Sequence, residues 1–334
     1  MKSHNPAQNE LFALDDVAAP RHPAPRMARP SARAPVDPDG PAAEEAMAER
    51  LAGTGRYRIL RQLLPRPVSA AGWPRAGEGA RIGIILDTET TGLDHAKDEI
   101  IELGMVAFLF NDAGIGEVIG VFSGLHQPSQ PISADITRIT GITDDMVAGQ
   151  ALDLDAVARF VEPADLVIAH NARFDRPFCE RFLPGLDVKP WACSVAEVGW
   201  AGFGFEGAKL GYLVAQGGWF HNGHRAVDDC HALLEVLAAP LPKRDDTAFA
   251  HLLASSQRRR ARIWAENSPF HTKDVLKGRG YRWSDGSNGQ LKCWWTEVDE
   301  DLHEAEVRFL REEIYQGRVD PFVQWLTALE RFKR

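Results

Sequence analysis

The stretch ARIGIILDTETTGLD, residues 80–94, decides how the rest of the chain is read. From Arg81 to Leu86 it is a short, almost uniformly apolar run, the pattern of a central strand covered on both faces. The run ends in Asp87-Thr88-Glu89. Side chains two apart in a strand point to the same side, so the carboxylates of Asp87 and Glu89 converge. They do so at the C-terminal end of the strand, where α/β sheets usually place their sites. Two such neighbours repel, and a proton or a cation relieves the repulsion. An all-oxygen donor set suits Mg2+ or Mn2+. Taken alone, Asp-x-Glu serves equally well to open a solvated turn.

Working outward, EIIELGMVAFLF (99–110) reads as a second strand, NDAGIG (111–116) as a turn and EVIGVFSGL (117–125) as a third strand. These three form an antiparallel meander. Short helices are expected around 133–140, from Asp144 and around 153–161. DLVIAH (165–170) is a fourth, buried strand that runs into a helix over 172–182, and WACS (191–194) is a short fifth. Helical stretches near 195–201 and 210–216 precede a longer helix, HRAVDDCHALLEVLAA, ended by Pro240. A meander followed by alternating helix and strand predicts an α/β fold: one mixed sheet with helices on its faces.

Two further acidic elements sit at helix starts. In HNARFD (170–175), Asp175 falls in a first helical turn with Asn171 as a candidate N-cap. In HRAVDD (224–229), His224 stands five residues before Asp229. Each has an ordinary explanation as an acidic first turn. Together with Asp87 and Glu89 they supply four carboxylates and an imidazole, the set that two-metal phosphodiester hydrolysis needs. A histidine that is neutral near pH 7 can take a proton from water.

The segments DTETTGLD, HNARFD and HRAVDD resemble the three exonuclease motifs of the DEDDh (DnaQ-like) family, which includes the proofreading epsilon subunit of bacterial DNA polymerase III. ITRITGITDDM (136–146) resembles the family's linking segment, and the resemblance covers about residues 80–240. It implies an RNase H-like sheet of strand order 3-2-1-4-5 and 3′→5′ exonuclease activity on DNA 3′ ends, releasing nucleoside 5′-monophosphates in replication proofreading or repair. Two divalent cations, Mg2+ or Mn2+, are implied with it. Carried over motif by motif, Asp87, Glu89 and Asp229 would hold the first cation. Asp87 would bridge to the second, which Asp175 also serves, and His224 would be the general base. Thr90, Gly92, Leu93, Asn171 and Phe174 would line the pocket for the 3′ nucleotide. The family spacing selects Asp229 over Asp228, and adjacent helical residues diverge by about 100°, so both cannot serve one ion. Glu102 on the second strand has no role from the motifs. RNA 3′ ends are an alternative substrate, and a non-catalytic nucleic-acid or polymerase adapter is a different class of function. The adapter reading calls for loss of an acid, and none is lost.

The 334 residues carry a formal net charge of −9, which argues against a protein that coats nucleic acid through a global positive field. Four cysteines without Cys-x-x-Cys spacing read as reduced thiols, and no apolar run reaches the length of a membrane span. A cytoplasmic protein is expected. Residues 1–41 hold eight prolines and read as a disordered tail. Within the tail, Gln8-Asn9-Glu10-Leu11-Phe12 resembles the Gln-x-x-Leu-Phe peptide by which bacterial DNA enzymes dock on the sliding clamp; Gln8, Leu11 and Phe12 would make that contact. Residues 42–79 read as a short helical segment, including RYRILRQLL (56–64), followed by a linker. The exonuclease domain is placed at 80–240, a helical or linker-like segment, taken as the linker, at 241–266 and a Trp-rich accessory domain at 267–334. Residues 257–292 hold nine Lys/Arg against three acids, interleaved with aromatics, a composition that fits a nucleic-acid surface.

Overall fold

The computed structural model describes residues 40–74, 81–287 and 289–333. The tail that carries Gln8, Leu11 and Phe12 lies outside the described residues. The chain divides into two units, Met1–Arg58 and Ile59–Arg334. In the first, Pro41–Ala52 is a helix with no buried residue. Everything that follows concerns the second.

Its main sheet has five strands: β1 (Arg81–Thr90), β2 (Ile100–Asn111), β3 (Gly114–Leu125), β4 (Leu166–Ala169) and β5 (Trp191–Cys193). Their order is β3-β2-β1-β4-β5, the expected 3-2-1-4-5. β1 pairs antiparallel with β2 and parallel with β4. The apolarity of β1 follows from two separate cores. Ile82, Ile84 and Leu86 face a core with Val157 and Phe178, while Ile85 faces another with Phe108, Leu233 and Phe249. The first core is covered by helix α1 (Ala172–Phe182), the second by α2 (Ala226–Ala238) and α3 (Ala248–Gln257).

Two segments depart from the sequence expectation. RYRILRQLL is not helical: Arg61–Gln62 is a short strand beside Trp219–Phe220. Leu63 alone is anchored in the core, while Leu60 and Leu64 are exposed, so the segment has no amphipathic face to stabilise a helix. The 241–266 segment is helical in part, as one of its two readings had it, but it is packed and is not a linker. Its helix α3 packs Phe249 against Phe108 and Phe110 at 5.9 and 5.5 Å. Its strand β6 (Arg260–Ala265) is an inner strand of a second sheet, ordered β9-β6-β8-β7, with β7 (Arg282–Trp283), β8 (Trp294–Asp299) and β9 (Phe322–Leu326). The Trp-rich block therefore begins at β6, ahead of residue 267. Ala261, Ile263 and Ala265 point to a small core with Leu276 of α4 (Lys273–Gly278) and Leu310, which follows α5 (His303–Phe309).

The chain end returns to the main sheet. Trp191 N–H of β5 donates to Ala328 O at 2.8 Å. Arg176, fully buried on α1, donates to the carbonyls of Ala328, Leu329 and Arg331 at 3.1, 2.6 and 2.6 Å, and to Glu180 at 2.7 Å. Arg331 in turn pairs with the buried carboxylate of Glu197. Arg176→Ala is expected to lower stability by about 3 kcal/mol, because the buried carbonyls lose their donor. Chemical denaturation checks this, and a change below about 0.5 kcal/mol, the range of an ordinary surface substitution, would contradict it.

Among the described residues, no helix is long and apolar enough to cross a membrane.

Candidate active site

Asp87 and Glu89 lie at the end of β1, where the ladder to β2 shifts register between Glu89 and Thr90. Across that ladder Asp87 faces Gly104 and Glu89 faces Glu102. These two β2 residues place the third acid. Helix α2 begins beside them, and its N-cap residue Arg225 makes no side-chain cap bond. Glu102 from β2 serves instead: its carboxylate accepts Ala226 N–H at 3.0 Å and the Arg225 guanidinium at 2.8 Å. A carboxylate at a helix N-terminus is favoured by the free N–H groups there. Gly104 lets the helix approach, since a Cβ there would lie 2.4 Å from Ala226 C and Val227 N. One turn on, Asp229 completes a group in which one carboxylate oxygen each from Asp87, Glu89 and Asp229 lies within 4.8 Å of the others. Asp228 is not in the group.

Gly104→Ala is expected to cost about 1–3 kcal/mol through overpacking and to lower turnover about 100-fold, the size of effect that follows a 1 Å displacement of a reacting group. Paired measurements of melting temperature and kcat check it; wild-type turnover would contradict it.

Asp175 is outside this group of three, though its charge acts on Asp87. Its Oδ1 accepts from Thr88 N–H at 3.1 Å and Thr88 Oγ1 at 2.9 Å, which ties the first turn of α1 to β1 between Asp87 and Glu89. Asn171 occupies the N-cap position but makes no side-chain cap bond, contrary to the capping role considered for it. Phe174 packs its ring 5.1 Å from that of Phe178. Thr90 is buried and its hydroxyl donates to Gly92 O at 2.6 Å. Gly92 abuts the Asp98 carboxylate, which a Cβ would meet at 2.5 Å. Leu93 is 84% exposed, an apolar side chain in the turn that follows β1.

His224 is exposed and its backbone adopts φ 63°, uncommon outside glycine. It reaches Asp229 through its backbone N–H, which donates to Oδ2 at 2.8 Å. The imidazole that touches Asp229 belongs to His221, with Nε2 2.6 Å from Oδ1. Thr88 lies inside the first motif without a role of its own there, and His221 and Glu102 lie outside the motifs. His221 shortly precedes the third motif and carries no pattern that singles it out.

The electrostatics are those of a site built for positive charge. Burial, then the charges of Asp175, Asp229 and Glu89, push the Asp87 carboxyl well above its ordinary range. Burial, then Asp229 and Glu102, raise Glu89 to about 8. Burial raises Asp175 to about 7 against the opposing bonds from Thr88. Three closely spaced carboxylates, offset in part by Arg225 near Glu89, fit a hard divalent cation.

Residues 84–237 match the exonuclease family model RNase_T. The chain is 35% identical over 160 residues to the DNA polymerase III subunit epsilon of Treponema pallidum, an alignment covering 45% of this chain and 72% of that protein. It is 33% identical over 181 residues to the PolC-type DNA polymerase III of Clostridium perfringens, covering 50% of this chain but only 12% of that one. Among solved structures, exonuclease X in complex with 5′ overhanging duplex DNA is 24% identical, with 52% of this chain and 99% of that chain covered at a TM-score of 0.38. With the motifs in place on the expected sheet and the match to epsilon spanning most of that protein, the chain belongs to the DnaQ-like (DEDDh) exonuclease family.

Proposed function

We propose that the protein is a divalent-cation-dependent 3′→5′ exonuclease that hydrolyses phosphodiester bonds at DNA 3′ ends and releases nucleoside 5′-monophosphates, in replication proofreading or repair. The observation that carries this reading is the convergence of Asp87, Glu89 and Asp229, from one strand and a helix some 140 residues later, on a space of 4.8 Å. Asp87, Glu89 and Asp229 would hold one cation, and Asp87 with Asp175 a second. When bound, two such cations, Mg2+ or Mn2+, stabilise the attacking and leaving oxygens of the displacement.

The remaining work falls to side chains. His224, exposed at the start of α2, accepts the proton of the attacking water. Glu102 and His221 fix Asp229 and the helix start, so that the carboxylate does not swing away between turnovers. Thr90 and Gly92 shape the turn after β1, and Leu93 and Phe174 offer apolar surface to the terminal base. The test is a comparison of 5′-labelled and 3′-labelled DNA and RNA strands with Mg2+ and with EDTA. Stepwise shortening of the 5′-labelled DNA, immediate release of the 3′ label and silence in EDTA support the reading. Faster loss of RNA would make the protein an exoribonuclease. No cleavage of either would leave the adapter reading.

A further inference from the structure

The basic stretch over 257–292 is partly neutralised on folding, and two of the cations left over lie at one sheet edge. Arg259 pairs with Glu300, Arg260 with Asp299, Arg262 with Glu297 and Arg279 with Glu306. Arg282 and Lys292 have no ion-pair partner among the described residues. Both flank the edge strand β7 and the hairpin that follows it; Lys292 lies across the hairpin from Gly286.

Three guanidinium groups surround Trp295: Arg262, Arg282 and Arg173 lie 5.0, 5.2 and 5.9 Å from its ring. Among the described residues one carboxylate pairs with two of them, Glu297, held by Arg262 at 2.7 Å and Arg173 at 3.1 Å. Arg173 is the residue before Phe174 and two before Asp175, so this cluster touches the helix that carries the active-site acid. Beside it is a groove of about 320 Å³ lined by Trp283, Ser284, Asp285, Ser287, Gln290 and Trp295. Trp283 is 52% exposed although it is an indole at a sheet edge. Around cluster and groove, Arg173, Arg262, Arg282 and Lys292 face two acids, Glu297 and Asp285.

We propose that this edge of the C-terminal sheet, with Arg282 and Lys292 on phosphates and Trp283 under a base, holds the single-stranded part of the substrate leading to the active site. Unpaired cations beside an exposed aromatic face are the combination that binds a single strand without reading its sequence. Arg173 joins this edge to α1, the helix that carries Asp175, and the reading of the held strand as substrate rests on the proposed exonuclease function.

The test uses the full chain and a fluorescent poly(dT) strand, with binding followed by anisotropy in EDTA, where no hydrolysis occurs and the bare carboxylates repel the strand. Trp283→Ala is expected to weaken binding about ten-fold, the loss of one stacked base. Arg282→Gln should lower the slope of log K against log salt by about 0.7, one phosphate contact on a single strand. Lys277→Gln on α4 removes the same charge elsewhere and should change neither reading. Wild-type binding and slope in both Trp283→Ala and Arg282→Gln, or no strand binding by the wild type, would overturn the proposal. Competition by polyglutamate as strong as by the strand would also overturn it, in favour of an acidic protein partner. Cleavage of the same strand with Mg2+ reads the exonuclease activity separately: if it fails while the variants behave as expected, the binding edge stands and the enzymatic reading falls.

Discussion

Asp87→Asn is expected to abolish hydrolysis while making the cation-free protein more stable. Asp87 is the carboxylate shared by both proposed cation positions. Losing the transition-state charge stabilisation they supply, several kcal/mol, lowers the rate by about a thousand-fold or more. The stability change has the opposite sign because of what the carboxylates do without a cation. Glu89 is raised from 4.5 to about 8 and Asp175 from 3.8 to about 7, each first by burial. Between the ordinary and the raised values the folded protein holds protons that the unfolded chain has released. Stability is therefore greatest below the ordinary values and falls as pH rises through 7 and 8. Asn at position 87 removes a buried negative neighbour and flattens that fall. Melting temperatures of cation-free wild type and variant should be close near the ordinary carboxylate values and diverge toward pH 8 in the variant's favour. A variant that is less stable at every pH, or one that keeps near-wild-type turnover, would contradict the assignment.

His224→Ala is expected to lose about 100- to 10,000-fold in rate, the range for removing a general base, with divalent-cation affinity unchanged. The geometry makes this prediction sharp, because two histidines stand near Asp229 and only one of them bonds it with its ring. His221 touches the carboxylate, so His221→Ala should loosen cation binding, whereas His224 meets Asp229 only through its backbone N–H, which alanine keeps. Turnover at saturating Mg2+ separates the two roles: it should stay low in His224→Ala and recover in His221→Ala. If turnover instead stays low in His221→Ala while His224→Ala is active, the base is His221.

How much of this was legible in the sequence depends on how far apart the partners lie. β1 could be read because burial on both faces leaves an unbroken apolar run, and the acids could be read because they terminate that run. The means of holding Asp229 could not. Glu102 looks like any acid in a strand until Arg225, 123 residues later, folds onto it. Gly104 carries no side chain to announce that a helix start rests on it. The basic stretch was legible as composition but not as surface. In QRRRARIW, alternation puts Ala261 and Ile263 into a core, while Arg262 is buried against Glu297, which lies 35 residues further on. Only the pairing with β8 and β9 shows the charged and apolar residues of this segment to be alternate faces of a strand.

The central claim is that Asp87, Glu89 and Asp229 form one cation site, and titration of Mn2+ into the cation-free protein, followed by electron paramagnetic resonance, tests it most directly. Saturable binding should tighten as pH rises toward 8, because Glu89 must give up its proton, and should be lost in Asp87→Asn. Binding that ignores both the pH and the substitution, or no saturable binding by the wild type, would contradict the account.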